Sequence, residues 1–542
     1  MSVSRRDPQR SFLDVSFLAE SLFDGTDPYS LFHQEILPAL QAKRGELEAM
    51  YCLDNGRPGI DPVLVAGVTL LQFMEKAPDR RALEQVRFHL GWKHALDLPV
   101  DYAGFHATSL VNFRQRLLAH EQSRLVFDVI LQGLEDKGLV QRRGRQRLDS
   151  THILGLVSSL SRLEVTRETI RLLLQMLERR QRRTEAPGWE LLRERYLDSE
   201  IPWRHMTKEA LAEKFHQAGR DMQTLIAWVQ SQEHWDEQDK TGLLERVFAE
   251  QFEVVAAASQ VRKGECPGAV KNPHDPDVQW AAKDTDKKTA WVGYKMQIAE
   301  TVPEEEASKN PKGQPTRQFL TEVTTTEAIA SDLDGRERLE RQQEQHGLGR
   351  ADTLYVDTAY VTDDTLGQAE QQGRQLIGPA RGSCNTSGEL FTAEAFDVSV
   401  AERRAICPAG RASTQCSRLE NQQTGQVDYR FEWSYHCDDC PLGSQCTNAR
   451  SGRRMLVVGR YHDLLQARRR EMKTDEFHRQ MHRRKAIEGT ISEFVRNGGR
   501  RTRYRGLAKT GLANYLHGAA INAKRWIRLL QYRLSADCLA ST

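Results

Sequence analysis

The chain has 542 residues, 28% of them charged and 39% hydrophobic, which calls for two or three folded units, each able to bury a core. No stretch nears the roughly 20 consecutive apolar residues of a membrane span. The start, MSVSRRDPQRSF, lacks the apolar segment of a secretory signal, so the expected location is the cytoplasm. A net charge of +2 hides an asymmetry: Arg450 to Arg533 carries 22 Lys and Arg against six Asp and Glu. Such a block points to a polyanion, nucleic acid being the usual one, or to a solvated helical surface.

Residues 1 to about 140 read as helical. Pro62 follows Asp61 as a first helical residue should, and Val65, Val68, Leu71 and Phe73 recur with helical spacing. A second run covers Arg80 to Leu90. A third, Thr108 to Leu117, starts on a hydroxyl cap and carries arginines on one side. This unit is read as DNA-binding or as a dimerisation module.

After Arg142-Arg143-Gly144-Arg145 the period changes. Arg147 to Leu154 alternates like a strand. Residues 159 to 262 return to helix, with heptad-like stretches at Ile170 to Arg183 and Leu243 to Val255, and read as an insertion between strands. Strand character resumes at Thr289 to Ile298, Phe319 to Thr324 and Thr353 to Asp357. Helices are expected over Arg336 to His346, Asp363 to Gln372 and Phe477 to Arg496.

Asp149 and Asp357 each lie in or at the end of an apolar strand-like run. A carboxylate there is costly unless something pairs with it; a divalent metal would serve, as would a role capping the next segment. On the helix from Phe477, a wheel at 100° per residue puts Glu488 and Arg484 within the arc of Phe477, Met481, Ile491, Phe494 and Val495. Glu493 falls opposite. The two are read either as a buried ion pair or as a metal ligand and a phosphate contact. Two strand acids and one helix acid are the ingredients of a two-metal phosphodiester site, and oxygen-only ligands suit Mg²⁺ or Mn²⁺. His152, on an alternating strand, faces away from Asp149 and is read as a packing or surface residue. Thr151 and Ile153 share the Asp149 face.

Several segments together resemble the DDE transposases of bacterial insertion sequences. They are Gly56-Arg57-Pro58-Gly59-Ile60-Asp61-Pro62, Thr108 to Leu117, Asp277 through Gly293-Tyr294-Lys295, and Tyr355-Val356-Asp357-Thr358-Ala359-Tyr360. Arg484-Lys485-Ala486-Ile487-Glu488-Gly489, Arg503-Tyr504-Arg505-Gly506-Leu507 and Asn522-Ala523-Lys524-Arg525 complete the set. The resemblance implies an α/β fold: a ribonuclease H-like mixed sheet over 141–533, with the helical insertion 159–262 and a cysteine-rich insertion 400–450. An all-α domain, 1–140, would precede it, and 534–542 would be a tail.

It also implies Asp149, Asp357 and Glu488 as the three catalytic, metal-binding acids, with Mg²⁺ or Mn²⁺ as cofactor. Double-stranded DNA, both mobile-element ends and target, would be the partner of a homodimer near the nucleoid. Arg484 matches the family arginine four residues before the glutamate. Met481 and Val495 stand where relatives often have Tyr and Lys. Arg496, or the cluster Arg500, Arg501, Arg503 and Arg505, is expected to supply the missing phosphate contacts. A transposase-derived DNA-binding protein that no longer cuts, and a nuclease of the same fold, are the rival readings.

Five of the nine cysteines, Cys407, Cys416, Cys437, Cys440 and Cys446, fall within one 40-residue stretch. In a reducing compartment this reads as metal binding before disulfides. Cys407, Cys437, Cys440 and Cys446 would hold a structural Zn²⁺ tetrahedrally, as in one subgroup of the resembling transposases; Cys416 and His436 are further candidates, and reduced cysteines without metal the alternative.

Overall fold

A computed structural model describes residues 13–18, 20–52, 59–180, 186–199, 206–232, 238–283, 286, 288–303, 315, 317–382, 390–422 and 425–540. Gly56, Arg57 and Pro58 lie outside them. The described amino-terminal residues are helical. Asp61 accepts the backbone N–H groups of Val63 and Leu64 and so caps helix α1 (Pro62–Glu75), whose Val63, Val65, Val68 and Leu71 are buried. Helices α2 (Asp79–Phe88), α3 (Thr108–Ala119) and α4 (Leu125–Asp136) follow. Thr108 does not cap α3. Ala107 holds the cap position without a side-chain bond, and the Thr108 N–H turns to His106 Nδ1.

Strand β1 (Gln146–Leu154) opens the sheet. Between it and the next sheet strand lies a helical unit with its own core, including Leu174, Met222, Leu244 and Phe252. Its main helices are α5 (Arg162–Arg179), α6 (Lys208–Gln230) and α7 (Gln238–Gln251). The heptad-like spacing predicts helix through Val255, but the chain turns there into a hairpin, β2 (Phe252–Val255) with β3 (Ala258–Val261). Ala256 and Ala257 form its two-residue turn, both with positive φ, as the twist of such hairpins demands.

The remaining sheet strands are β4 (Gln279–Ala282), β5 (Ala290–Thr301), β6 (Leu320–Glu327), β7 (Thr353–Tyr355) and β8 (Gln375–Ile377). Long β5 pairs antiparallel with β1 along one edge and with β4 and then β6 along the other. On the far side of β1, β7 and β8 continue the sheet in parallel. Gly293 is required where β5 crosses the end of β1, since a Cβ there would stand 1.9 Å from the Ile153 carbonyl oxygen. Helices α8 (Asp332–Gln345) and α9 (Asp363–Gln371) serve as connections.

Short strands follow: β9 (Asp397–Ser399) with β10 (Arg404–Ile406), then β11 (Gln415–Glu420), β12 (Val427–Glu432) and β13 (Met455–Gly459). They enclose a small core around Phe396, Phe431 and Trp433. The chain ends in α10 (His462–Glu471), α11 (Asp475–Phe494) and the 34-residue α12 (Leu507–Ala540). Helix α12 lies against α1, α4 and β6. One hydrophobic cluster therefore runs from the amino-terminal helices through α12 to Met296, Ile298 and Val323 of the sheet. No described helix is long and apolar enough to cross a membrane.

Candidate active site

The register of β1 and β7 brings two predicted acids together. Arg147 is paired with Tyr355 in parallel, so Asp149 and Asp357 stand two residues beyond the same rung. Side chains two apart share a face, and on this face lies α11. Its Arg484 donates from Nη2 to Asp149 Oδ2 at 2.7 Å and lies 3.9 Å from Asp357 Oδ2. One guanidinium thus spans both carboxylates. Burial pushes the Asp149 carboxyl above its ordinary value; Arg484 and the Ser150 N–H oppose this, and nearby Asp357 adds to it. Asp357 is more open, and also accepts the Ala359 N–H at 2.7 Å, capping the short turn Thr358–Tyr360.

Glu488 follows Arg484 by one helical turn, but it is exposed. The buried residues of α11 are Phe477, Ile487, Thr490 and Phe494. The wheel reading therefore needs correction: the buried arc is centred on Ile487 and Phe494, and Glu488 sits beside it rather than within it. No ion pair joins Arg484 to Glu488 among the described residues, because Arg484 is engaged by the sheet acids. Nor do any three His, Cys, Asp or Glu side chains among the described residues stand ready to hold a metal ion. What is assembled is a pair of acids bridged by an arginine, with a third acid one turn along the same helix.

The setting of α11 depends on a residue that sequence reasoning passed over. Glu300, opposite Arg147 across the β1–β5 ladder, is fully buried. It accepts from Arg147 Nε at 2.5 Å, from Thr490 Oγ1 at 2.6 Å and from Arg525 Nη1 at 3.1 Å. Arg525, on α12, also pairs with Glu493 at 2.7 Å, which explains the opposite-facing glutamate of α11. Arg147 donates in addition to the Arg483 carbonyl oxygen at 2.7 Å. Sheet, α11 and α12 are thus tied together two residues from Glu488. The only sequence signal was an acid in an apolar strand, the same one that drew attention to Asp149.

Other singled-out residues have structural work. The Tyr294 hydroxyl donates to Asp275 at 2.8 Å, and Asp277 accepts the Leu507 N–H at the start of α12. His152 packs on Trp291, their rings 5.3 Å apart. Burial, with Arg500 and Lys283 nearby, lowers its pKa to about 4. On α3, Arg114 binds Asp79 and Arg116 lies 4.3 Å over the Tyr51 ring. Arg500 is bonded to Thr151 and to the His152 carbonyl oxygen. Arg496, Arg501, Arg503 and Arg505 are exposed.

Four of the cysteines converge. Cys407, Cys437, Cys440 and Cys446 line one small cavity with His436. Burial raises the Cys446 thiol pKa, Arg454 opposes this, and the other three thiols reinforce it. Cys416 lies apart, paired with Phe431 in the β11–β12 ladder.

Two family models match the chain. Residues 406–527 match the transposase DDE domain, a span that takes in the four converging cysteines, Arg484 and Glu488 but not Asp149 or Asp357. Residues 19–116 match a transposase domain (DUF772) of the helical amino-terminal part. No curated protein and no solved structure matches. With one transposase domain matched in its amino-terminal helices and another around the arginine and glutamate of α11, the chain is similar over these two segments to the DDE transposases of bacterial insertion sequences.

Proposed function

We propose that the protein binds the ends of its own mobile element, cleaves phosphodiester bonds there and joins the 3′ ends to target DNA, with Asp149, Asp357 and Glu488 as its catalytic acids. The observation that carries this reading is the convergence of Asp149 and Asp357 on Arg484, one turn from Glu488. The sheet order supports a ribonuclease H-like catalytic domain: three antiparallel strands, β6, β5 and β1, continue into parallel β7 and β8. In this division 1–140 is the helical module, 141–533 the catalytic domain and 534–542 a tail whose described part continues α12 to Ala540.

The donor set is oxygen-only and suits Mg²⁺ or Mn²⁺, which Asp149, Asp357 and Glu488 would hold. Such ions supply positive charge at the attacking and leaving oxygens. The chain's own residues position the strand. Arg484 offsets part of the charge of the two carboxylates here and would reach a phosphate bound beside them. Arg496, Arg500, Arg501, Arg503 and Arg505 extend the positive surface along a DNA backbone, where charge-assisted contacts set position rather than sequence. Water is the nucleophile of cleavage and a 3′-hydroxyl that of joining. Two copies, one per DNA end, form the working assembly.

The four thiols that line one cavity are donors of the type a structural Zn²⁺ takes, although they are not gathered into a ready metal site here; metal analysis should find about one zinc per chain, and folded, zinc-free protein sinks that assignment.

The central test is strand cleavage on element-end DNA with Mg²⁺ or Mn²⁺ against EDTA. Asp149→Asn, Asp357→Asn and Glu488→Ala should each abolish cutting and leave DNA binding largely intact. Turnover in any of them removes that residue from the triad. Binding without cutting by the wild type favours an inactive DNA-binding protein, and end-independent degradation a nuclease.

A further inference from the structure

Between the end of α1 and the turn that follows α11 lies a cavity of about 550 Å³, within the roughly 300–1,000 Å³ of small-molecule sites. Its wall is built from both halves of the chain. Lys76, Arg80 and Arg114 come from the amino-terminal helices, and Arg496, Arg501 and Arg503 from the turn. The single carboxylate on the wall, Asp79, is bound by both terminal nitrogens of Arg114. None of the other five cations is within ion-pair distance of an acid among the described residues, although Arg503 stands near enough to Asp79 to help lower its carboxyl pKa. Lys76 spends one donor on the Arg496 carbonyl oxygen, 2.8 Å away, which ties the two walls together. The rest of the lining is partly aromatic: Phe73, Tyr504 and His517. The His517 and Phe73 rings are 4.8 Å apart, edge to face, and His517 Nδ1 is buried without a hydrogen-bond partner.

Unpaired cations crowded on one concave wall repel each other until an anion enters. Burial together with Arg503 and Lys524 brings the His517 pKa down to about 4; the imidazole is neutral, and its free nitrogen suits a heterocycle better than a phosphate. A duplex is far too wide to enter, whereas one nucleotide has the size and the two chemistries required. We propose that this cavity takes a single unstacked nucleotide of the DNA strand, its phosphate among Lys76, Arg80, Arg496, Arg501 and Arg503 and its base against Phe73, Tyr504 and His517. This rests on the reading of the chain as a protein that acts on DNA.

The cavity is joined to the candidate active site. Arg496 follows Glu488 by about 12 Å of helical rise, or some three to four nucleotides of duplex at about 3.4 Å each. The Arg500 carbonyl oxygen and the Thr502 N–H are bonded to Leu154, at the end of the strand that carries Asp149. A nucleotide seated here would fix the register of the strand running to the acids, and would do so only when the amino-terminal helices are docked.

The test uses the full chain in EDTA, so that cutting plays no part. Affinity is measured for a fully paired element-end duplex and for the same duplex with one unpaired nucleotide, as a function of salt. The unpaired nucleotide should tighten binding about tenfold, in line with the gain from stacking one base on aromatic side chains. The exposed double variant Lys76→Gln/Arg80→Gln should lose most of that preference and lower the salt slope by about one to two. Arg479→Gln, an exposed cation elsewhere on α11, should change neither. Equal affinity for the two duplexes, or an unaltered preference in the double variant, overturns the proposal. Metal-dependent end cleavage by the same preparation keeps the two readings apart: cleavage without the preference removes the nucleotide site alone, and the preference without cleavage removes the transposase activity alone.

Discussion

Two clusters of acids and arginines on the same face of the sheet have opposite accounts. Around Glu300, a single carboxylate is met by Arg147, Arg525 and the Thr490 hydroxyl, all buried. Around Arg484, a single guanidinium is stretched between Asp149 and Asp357, and Asp357 is 42% exposed. The first cluster has donors to spare and no opening to solvent, so it fixes α11 in place. The second has acids to spare and an open side, so it is short of positive charge. Functional sites are commonly left in such a state while the structure around them holds it there. The difference would separate an acid that supports the fold from the acids proposed to take a ligand, although Glu300 and Asp149 lie in apolar strands and Asp357 just beyond one.

The largest effect should come from Glu300→Gln. It keeps the shape but leaves Arg147 a buried cation without a counter-charge, while Arg525 keeps Glu493; breaking a buried pair in this way typically costs about 3–5 kcal/mol. Urea unfolding should show a lower midpoint with an unchanged slope. A loss below about 1 kcal/mol would mean that the network is not what holds α11, and the comparison would fail on its structural side.

This contrast also marks where the sequence stops being legible. The Asp61-Pro62 start of α1 and the alternation of β1 are local signals, and both were readable. The adjacency of Asp149 and Asp357 followed from resemblance, because a parallel register between strands some 200 residues apart leaves no local trace. Glu300 was missed because its three partners come from β1, α11 and α12, and only their meeting makes its burial tolerable. The face of α11 was misjudged for a related reason: Thr490 is buried as a hydrogen-bonding residue, so an apolar arc that omits it is rotated toward Glu488. The strands around the cysteines are three to six residues long, too short for a period to emerge.

The open cluster makes a prediction about pH and metal. The folded state holds the Asp149 proton more tightly than the ordinary value of 3.8, so it binds more protons than the unfolded chain in the window above that value. Stability contributed by this group is therefore present in acid and falls as pH rises through the window. Asp149→Asn should flatten that part of the profile. At neutral pH the ionised acids should instead gain from a divalent cation. Mn²⁺ at a hundredfold excess over its Kd should stabilise the wild type by about 2.7 kcal/mol, and Asp149→Asn should remove most of the gain. A wild type indifferent to Mn²⁺ in thermal unfolding would count against the acids as a metal site.

The smallest change in stability should come from Arg484→Gln, and it tests the contrast most finely. The Arg484–Asp149 pair it breaks is mostly buried and only the Asp357 arm is open to water, so its worth falls between the roughly 0–1 kcal/mol of exposed ion pairs and the roughly 3–5 kcal/mol of fully buried ones. The carboxylates left behind can be screened by solvent through Asp357, unlike the guanidiniums around Glu300. Unfolding should therefore move by about 1–2 kcal/mol, less than for Glu300→Gln, while the gain from Mn²⁺ should persist or grow, because the competing internal cation is gone. End cleavage should nevertheless fall, since the guanidinium is no longer there to meet the phosphate. If Arg484→Gln instead destabilises the protein as much as Glu300→Gln does, Arg484 is a second structural arginine, and the two clusters are of one kind.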